Sequence, residues 1–253
     1  MGPTNGTFDA IGGEWASLLA ACVYLGAASL TLYRAARTAR AGGGADFSCF
    51  QLRYQGHTLV LAGIVSFSTW LANPIGWARF ASFGQIGAAA SEVRWLGIAP
   101  SESWLEVGAS LGCVITAVTC AFLVIQARRN PFKHPRINKL LPVVVAAAAA
   151  NALVEEVLFR FAPFALFNGR MAPELIMAVS AAIFGVAHFD GAPGGPVGVA
   201  MAGALGWILA KSLLETQGMF WPLAIHFAQD VAIMLFLATS ATLQLSRRIP
   251  AEP

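Results

Sequence analysis

Residues 151–167 read NALVEEVLFRFAPFALF. Two adjacent carboxylates, Glu155 and Glu156, and one arginine, Arg160, sit inside an apolar run that begins near Leu140. At the centre of a membrane helix each such group costs roughly 2.5–3.5 kcal/mol. Three in one span have to be paired, hydrated or put to use. The rest of the chain says that the run is membranous. Its 253 residues are 57% hydrophobic and 11% charged, against about a quarter charged in a soluble domain. Several apolar runs approach the roughly 20 residues that cross a bilayer. The expected fold class is all-α, a polytopic transmembrane helical bundle forming a single integral membrane domain over residues 1–253.

Working outward, residues 1–13 are short, Gly-rich and slightly acidic, and are expected to be poorly ordered. Residues 14–139 hold the N-terminal spans and basic loops, and residues 140–240 form the core that carries the ionisable groups. Seven spans are predicted: Trp15–Tyr33, Thr58–Leu71, Leu105–Gln126, Leu140–Phe167, Pro173–His188, Val197–Leu213 and Phe220–Leu237. Asn73-Pro74 ends the second. Gly76–Trp104 mixes Trp, Arg, Glu and Gly, which suits an interfacial segment. The basic clusters are Arg34–Arg40, Arg128–Lys139 and Arg247-Arg248. With seven crossings they fall on one side, so the positive-inside rule predicts N-out and C-in. Nothing resembles a nucleic-acid-binding surface. Cys22, Cys49, Cys113 and Cys120 have no metal-ligand spacing and read as small apolar packing residues.

From Leu140 to Leu237 the spans hold Glu155, Glu156, Arg160, His188, Lys211, His226 and Asp230, whereas the earlier spans hold almost none. Any chemistry belongs to the C-terminal half. Glu156 and Arg160 are four apart and can pair on one helix face. Glu155 points about 100° away, unpartnered on its own helix and therefore a candidate general base. Pro163 cannot donate to the Phe159 carbonyl, which predicts a kink beside the motif. Phe184 and His188 share a face on the fifth span, and His226 and Asp230 share one on the seventh. Glu155 lies about 18 Å before the end of its span and His188 about 22 Å after the start of the next. Across the turn at Asn168-Gly169 they come level. His226, only about 6–8 Å into its helix, sits too shallow by the same arithmetic. Taken singly, Glu156–Arg160 reads as a self-satisfied brace, Phe184 as packing, and Lys211 as a side chain that snorkels to the interface.

The joint pattern is more specific. Glu155-Glu156-x-x-x-Arg160, Phe184-x-x-x-His188 and His226-x-x-x-Asp230, in that order on successive apolar helices, resemble the CAAX-prenyl protease type II and bacteriocin-processing group (CPBP, also called Abi) of intramembrane proteases. The resemblance covers about Leu140–Leu237. It implies a glutamate-type peptidase in which Glu155 and His188 activate a water, His226 and Asp230 stabilise or position the oxyanion, and Glu156, Arg160 and Phe184 support them. Asp230 departs from the Asn common in that group. An ionised Asp cannot donate a hydrogen bond, so Asp230 is either protonated or acts through His226.

The resemblance leaves a zinc alternative open, with Glu155, Glu156, His188 and His226 as ligands, although there is no HExxH. A metal-free site is the expectation. The implied substrate is a membrane-anchored or lipidated peptide or protein in the bilayer. The high Ala/Gly content and the N-out topology point to a bacterial inner membrane, in which a multi-pass protein is expected. The competing readings are a non-catalytic scaffold or immunity-type binding protein using the same polar pocket, and a proton-coupled transporter.

Overall fold

The computed structural model describes residues 47–128, 137–191 and 194–248. The first expected span, Trp15–Tyr33, and most of the basic loop before Ile137 lie outside them. The described residues are helical, with only two isolated bridges, Ala89 to Ser103 and Val93 to Ile98, in place of a sheet. The helices are α1 (Phe47–Ala72), α2 (Pro74–Phe80), α3 (Trp104–Arg128), α4 (Ile137–Glu156), α5 (Ala162–Phe167), α6 (Pro173–Ala187), α7 (Gly195–Thr216) and α8 (Phe220–Arg248). Among the described residues, Trp104–Ile125, Leu141–Phe167 and Gly195–Thr216 are long and apolar enough to cross a membrane. Pro173–Ala187 and Phe220–Phe236 are shorter apolar helices. A count of seven and the N-out orientation rest on the sequence alone.

α1 starts at Phe47 rather than at the expected Thr58. The polar residues Gln51, Gln55 and Thr58 do not end it, because they lie buried along one face. Their side chains bond to one another and across to α4. Asn73 ends α1 as expected and also begins α2. Its side chain accepts from the Gly76 N–H at 3.0 Å and donates to the Ala165 carbonyl of α5 at 2.9 Å, an N-cap with Pro at the first helical position. The outward faces of α1 and α3 are apolar: Val60, Ile64, Phe67, Val114, Val118 and Ile125 are all exposed. Only 11% of the most apolar stretch of α3 is buried, so most of its surface is left for lipid.

Residues 81–103, read from sequence as interfacial, form a cap tied to the turn between α7 and α8. The Gln85 N–H donates to the Thr216 carbonyl, the Met219 N–H to Ser82, and Trp221 Nε1 to Ile86. Gly84 has a positive φ of 73° and packs on Gly218, where an added Cβ would lie 2.2 Å from the Gly84 nitrogen. Lys211 does not snorkel. It is 5% exposed and bonds Ser91 Oγ and Glu215, whose other oxygen accepts from the fully buried Trp104 Nε1 at 2.7 Å. The ion pair is used inward, to fasten the cap. Gly218→Ala should therefore lower stability by about 1–3 kcal/mol through overpacking, read as a fall in the thermal unfolding midpoint of detergent-purified protein.

The cap covers the start of α8, where Met219 and Trp221 are buried. Small residues bring the helices together laterally. The alanine run of α4 packs Val144, Ala147 and Ala148 on Met234 and Ala238 of α8, and an added Cβ on Gly185 of α6 would lie 2.7 Å from the Val199 carbonyl of α7. In a bilayer, where hydrophobicity does not drive helices together, such close backbone approach is what holds them.

Candidate active site

The opening stretch does not kink simply at Pro163. Val157–Phe161 form a π-turn, with the Ala162 N–H bonded to Val157. Pro163 supplies no N–H to the Phe159 carbonyl, and Ser180 Oγ of α6 donates to it instead. π-turns of this kind recur at functional sites. This one leaves Glu155 and Glu156 on the last turn of α4 and Arg160 inside the bulge.

Glu156 and Arg160 are both fully buried, and their charged groups lie 3.2 Å apart. The Arg160 guanidinium also stacks 3.8 Å above the Phe184 ring, a favourable cation–π placement. The brace is more than self-paired, because Glu156 Oε1 lies 2.6 Å from His226 Nδ1. A carboxylate in that position fixes the ring so that Nε2 faces the site. His226 thus lies beside Glu155 and Glu156, although helix arithmetic from Phe220 places it too shallow.

Glu155 is 18% exposed at its side chain and His188 33%, whereas Glu156 is fully buried. Glu155 Oε2 lies 3.4 Å from His226 Nε2 and 3.8 Å from His188 Nε2. His188, immediately after α6, donates from Nδ1 to the Phe184 carbonyl at 2.8 Å, because a carbonyl can only accept. Its Nε2 therefore also turns inward. The Phe184 ring packs 4.4 Å from the His188 ring and 5.7 Å from that of His226. Asp230 Oδ1 lies 3.7 Å from His226 Nε2, beyond a hydrogen bond, while Oδ2 accepts from Asn151 Nδ2 at 3.0 Å. The structure brings together Glu155, Glu156, Arg160, Phe184, His188, His226 and Asp230, and leaves Lys211 in the cap.

The sequence reading passed over others. Asn151, one turn before Glu155, also donates to Glu155 Oε1 at 3.0 Å and accepts from Gln55 of α1. Its i, i+4 spacing to Glu155 was the available signal. Gln229, next to Asp230, bonds Thr116 and Thr119 of α3.

The histidines and Asp230 open onto a cleft between two helices. One wall is the Ile115, Thr119, Phe122 and Leu123 face of α3; the other is the Gly198, Met201, Ala202 and Leu205 face of α7. Each set repeats at helical spacing.

As a zinc site the donors fit loosely. Bonds of about 2.0–2.1 Å in a tetrahedron space the ligands about 3.4 Å apart. His226 matches that spacing to Glu155, whereas His188 stands off and Glu156 is committed to His226 and Arg160. Among the described residues no group of three His, Cys, Asp or Glu is gathered closely enough to hold an ion.

Comparison with known proteins agrees with the motif resemblance. Residues 137–232 match the family model described as type II CAAX prenyl endopeptidase, Rce1-like. The match takes in every residue of the cluster from Asn151 to Asp230. That model describes a peptidase, and three of the described helices are long and apolar enough to cross a membrane. No curated protein and no solved structure matches the chain.

Proposed function

From the Rce1-like segment that carries this cluster, we propose that the chain is an intramembrane endopeptidase. It hydrolyses a peptide bond of a membrane-anchored or lipidated protein with water activated by Glu155 and His188. The observation that carries this reading is the approach of both His188 Nε2 and His226 Nε2 to Glu155 Oε2, the two histidines lining the cleft. A separation of 3.8 Å is too long for a direct hydrogen bond and suits one water held by both groups.

In the proposed reaction the water oxygen attacks the scissile carbonyl carbon and its proton passes to Glu155, with His188 Nε2 accepting the other hydrogen bond. Protonated His226 donates from Nε2 to the oxyanion that forms. Glu156 steadies the imidazolium from the Nδ1 side, as the buried carboxylate of a catalytic triad does. As the C–N bond breaks, Glu155 returns its proton to the leaving amine and the carbonyl re-forms. An oxyanion donor aimed into a dry site is commonly among the largest catalytic contributions. Asp230 keeps His226 and Glu155 in register. No step needs a metal, and cleavage of a prenylated CAAX-type peptide in lipid nanodiscs is expected to survive a tight zinc chelator. Loss of cleavage that returns only with added zinc would overturn that part.

The α3 and α7 faces support a substrate that arrives from the bilayer, since both helices are apolar enough to cross it and the cleft lies between them. Met201→Trp, which narrows the cleft, should slow cleavage of a bilayer-anchored substrate by about tenfold or more through lost alignment. A short water-soluble peptide with the same scissile bond should be affected less. Equal effects on both substrates would argue against access between these helices.

A further inference from the structure

Asn151 lies in the middle of a candidate membrane span, and its single amide nitrogen is 3.0 Å from both Glu155 Oε1 and Asp230 Oδ2. Those two N–H bonds use the whole donor capacity of the amide. Its oxygen accepts from Gln55 Nε2 at 3.3 Å. Gln55 is oriented in turn, because its Nε2 also donates to Gln51 Oε1 at 3.4 Å. Gln51, Gln55 and Thr58 are buried, so α1 fixes which way the Asn151 amide points. The arrangement treats the two carboxylates alike. One oxygen of each is tethered by Asn151, and the other is turned toward His226 Nε2, at 3.4 Å for Glu155 and 3.7 Å for Asp230.

We propose that Asn151 is a positioning residue that bridges Glu155 and Asp230, separating two like charges from neighbouring helices and deciding which oxygen of Glu155 faces the reacting water. The role in turnover rests on the protease reading above; the bridge itself does not. Like charges so close in a low-dielectric interior repel strongly unless a donor lies between them. Asn151 supplies a donor to both, and a carboxylate swung by about 1 Å loses on the order of 100-fold in rate.

The test is a cycle of Asn151→Leu, Asp230→Asn and the double variant. Asp230→Asn removes one of the two charges and brings its own amide donor, so it should repair what Asn151→Leu breaks. On a prenylated CAAX-type peptide in nanodiscs, Asn151→Leu should lower kcat about 100-fold with KM within about threefold. The double variant should recover at least about tenfold over Asn151→Leu, a non-additivity expected of residues in one network. The thermal unfolding midpoint in detergent should fall with Asn151→Leu and rise again in the double variant. Additive effects in both readouts, or a change confined to KM, would overturn the bridge. A non-additive thermal cycle in a protein that cleaves nothing would leave the bridge standing and remove the protease reading.

Discussion

Glu155→Gln is expected to lower cleavage by about 10²–10⁴-fold, the range that a positioned general base supplies. The amide keeps the size of the side chain and still accepts from Asn151 through its oxygen, but it cannot take a proton from water. Because the Glu155 side chain is largely buried, removing its charge relieves rather than creates a burial penalty. The variant should therefore insert and fold as the parent does. Mass spectrometry of membrane peptides from cells carrying either form should show fragments that depend on Glu155, which would also identify the substrate. If the same fragments persist in the variant, or none depends on the protein at all, the hydrolytic role fails. The polar pocket then belongs to a binding protein.

What the sequence disclosed follows from how local each feature is. The Glu156–Arg160 pair is set by helix periodicity, and the level of Glu155 with His188 follows from two helix lengths across one short turn. Both could be read without a structure, and the structure places both pairs close together. The depth of His226 could not, because it depends on where α8 starts. That start is set by a cap formed more than a hundred residues earlier in the chain, through a Gly84–Gly218 approach that no periodicity announces. Lys211 misled for the same reason: snorkelling is the default for a lone lysine near a helix end, and only the cap supplies Ser91 as an inward partner. Asn151 was in view from the first line, but its meaning lies in bonds to α1 and α8. Glu156 was half-read, since its second partner comes from the helix whose depth was unknown.

Arg160→Met is the second large effect expected, and it falls on stability. Arg160 and Glu156 have no exposed side-chain surface, and among the described residues the Glu156 carboxylate otherwise meets His226 Nδ1. Breaking a buried ion pair by removing one member typically costs about 3–5 kcal/mol, because the other charge is left uncompensated. That is a large share of the stability of a folded domain, so the variant should be recovered poorly from membranes and unfold early in detergent. Replacing both members is different, since a buried pair exchanged for neutral groups of similar size is often close to neutral. Glu156→Gln with Arg160→Met should therefore regain most of the lost stability. It should not regain activity. A Gln at 156 can accept from Nδ1 but cannot balance an imidazolium, and converting the equivalent carboxylate to an amide in a serine protease triad costs about 10⁴ in kcat. A folded, inactive double variant would separate the two duties of Glu156, holding Arg160 in the π-turn and preparing His226 for the oxyanion. Arg160→Met folding with the parent's unfolding midpoint would show that the brace carries no such load.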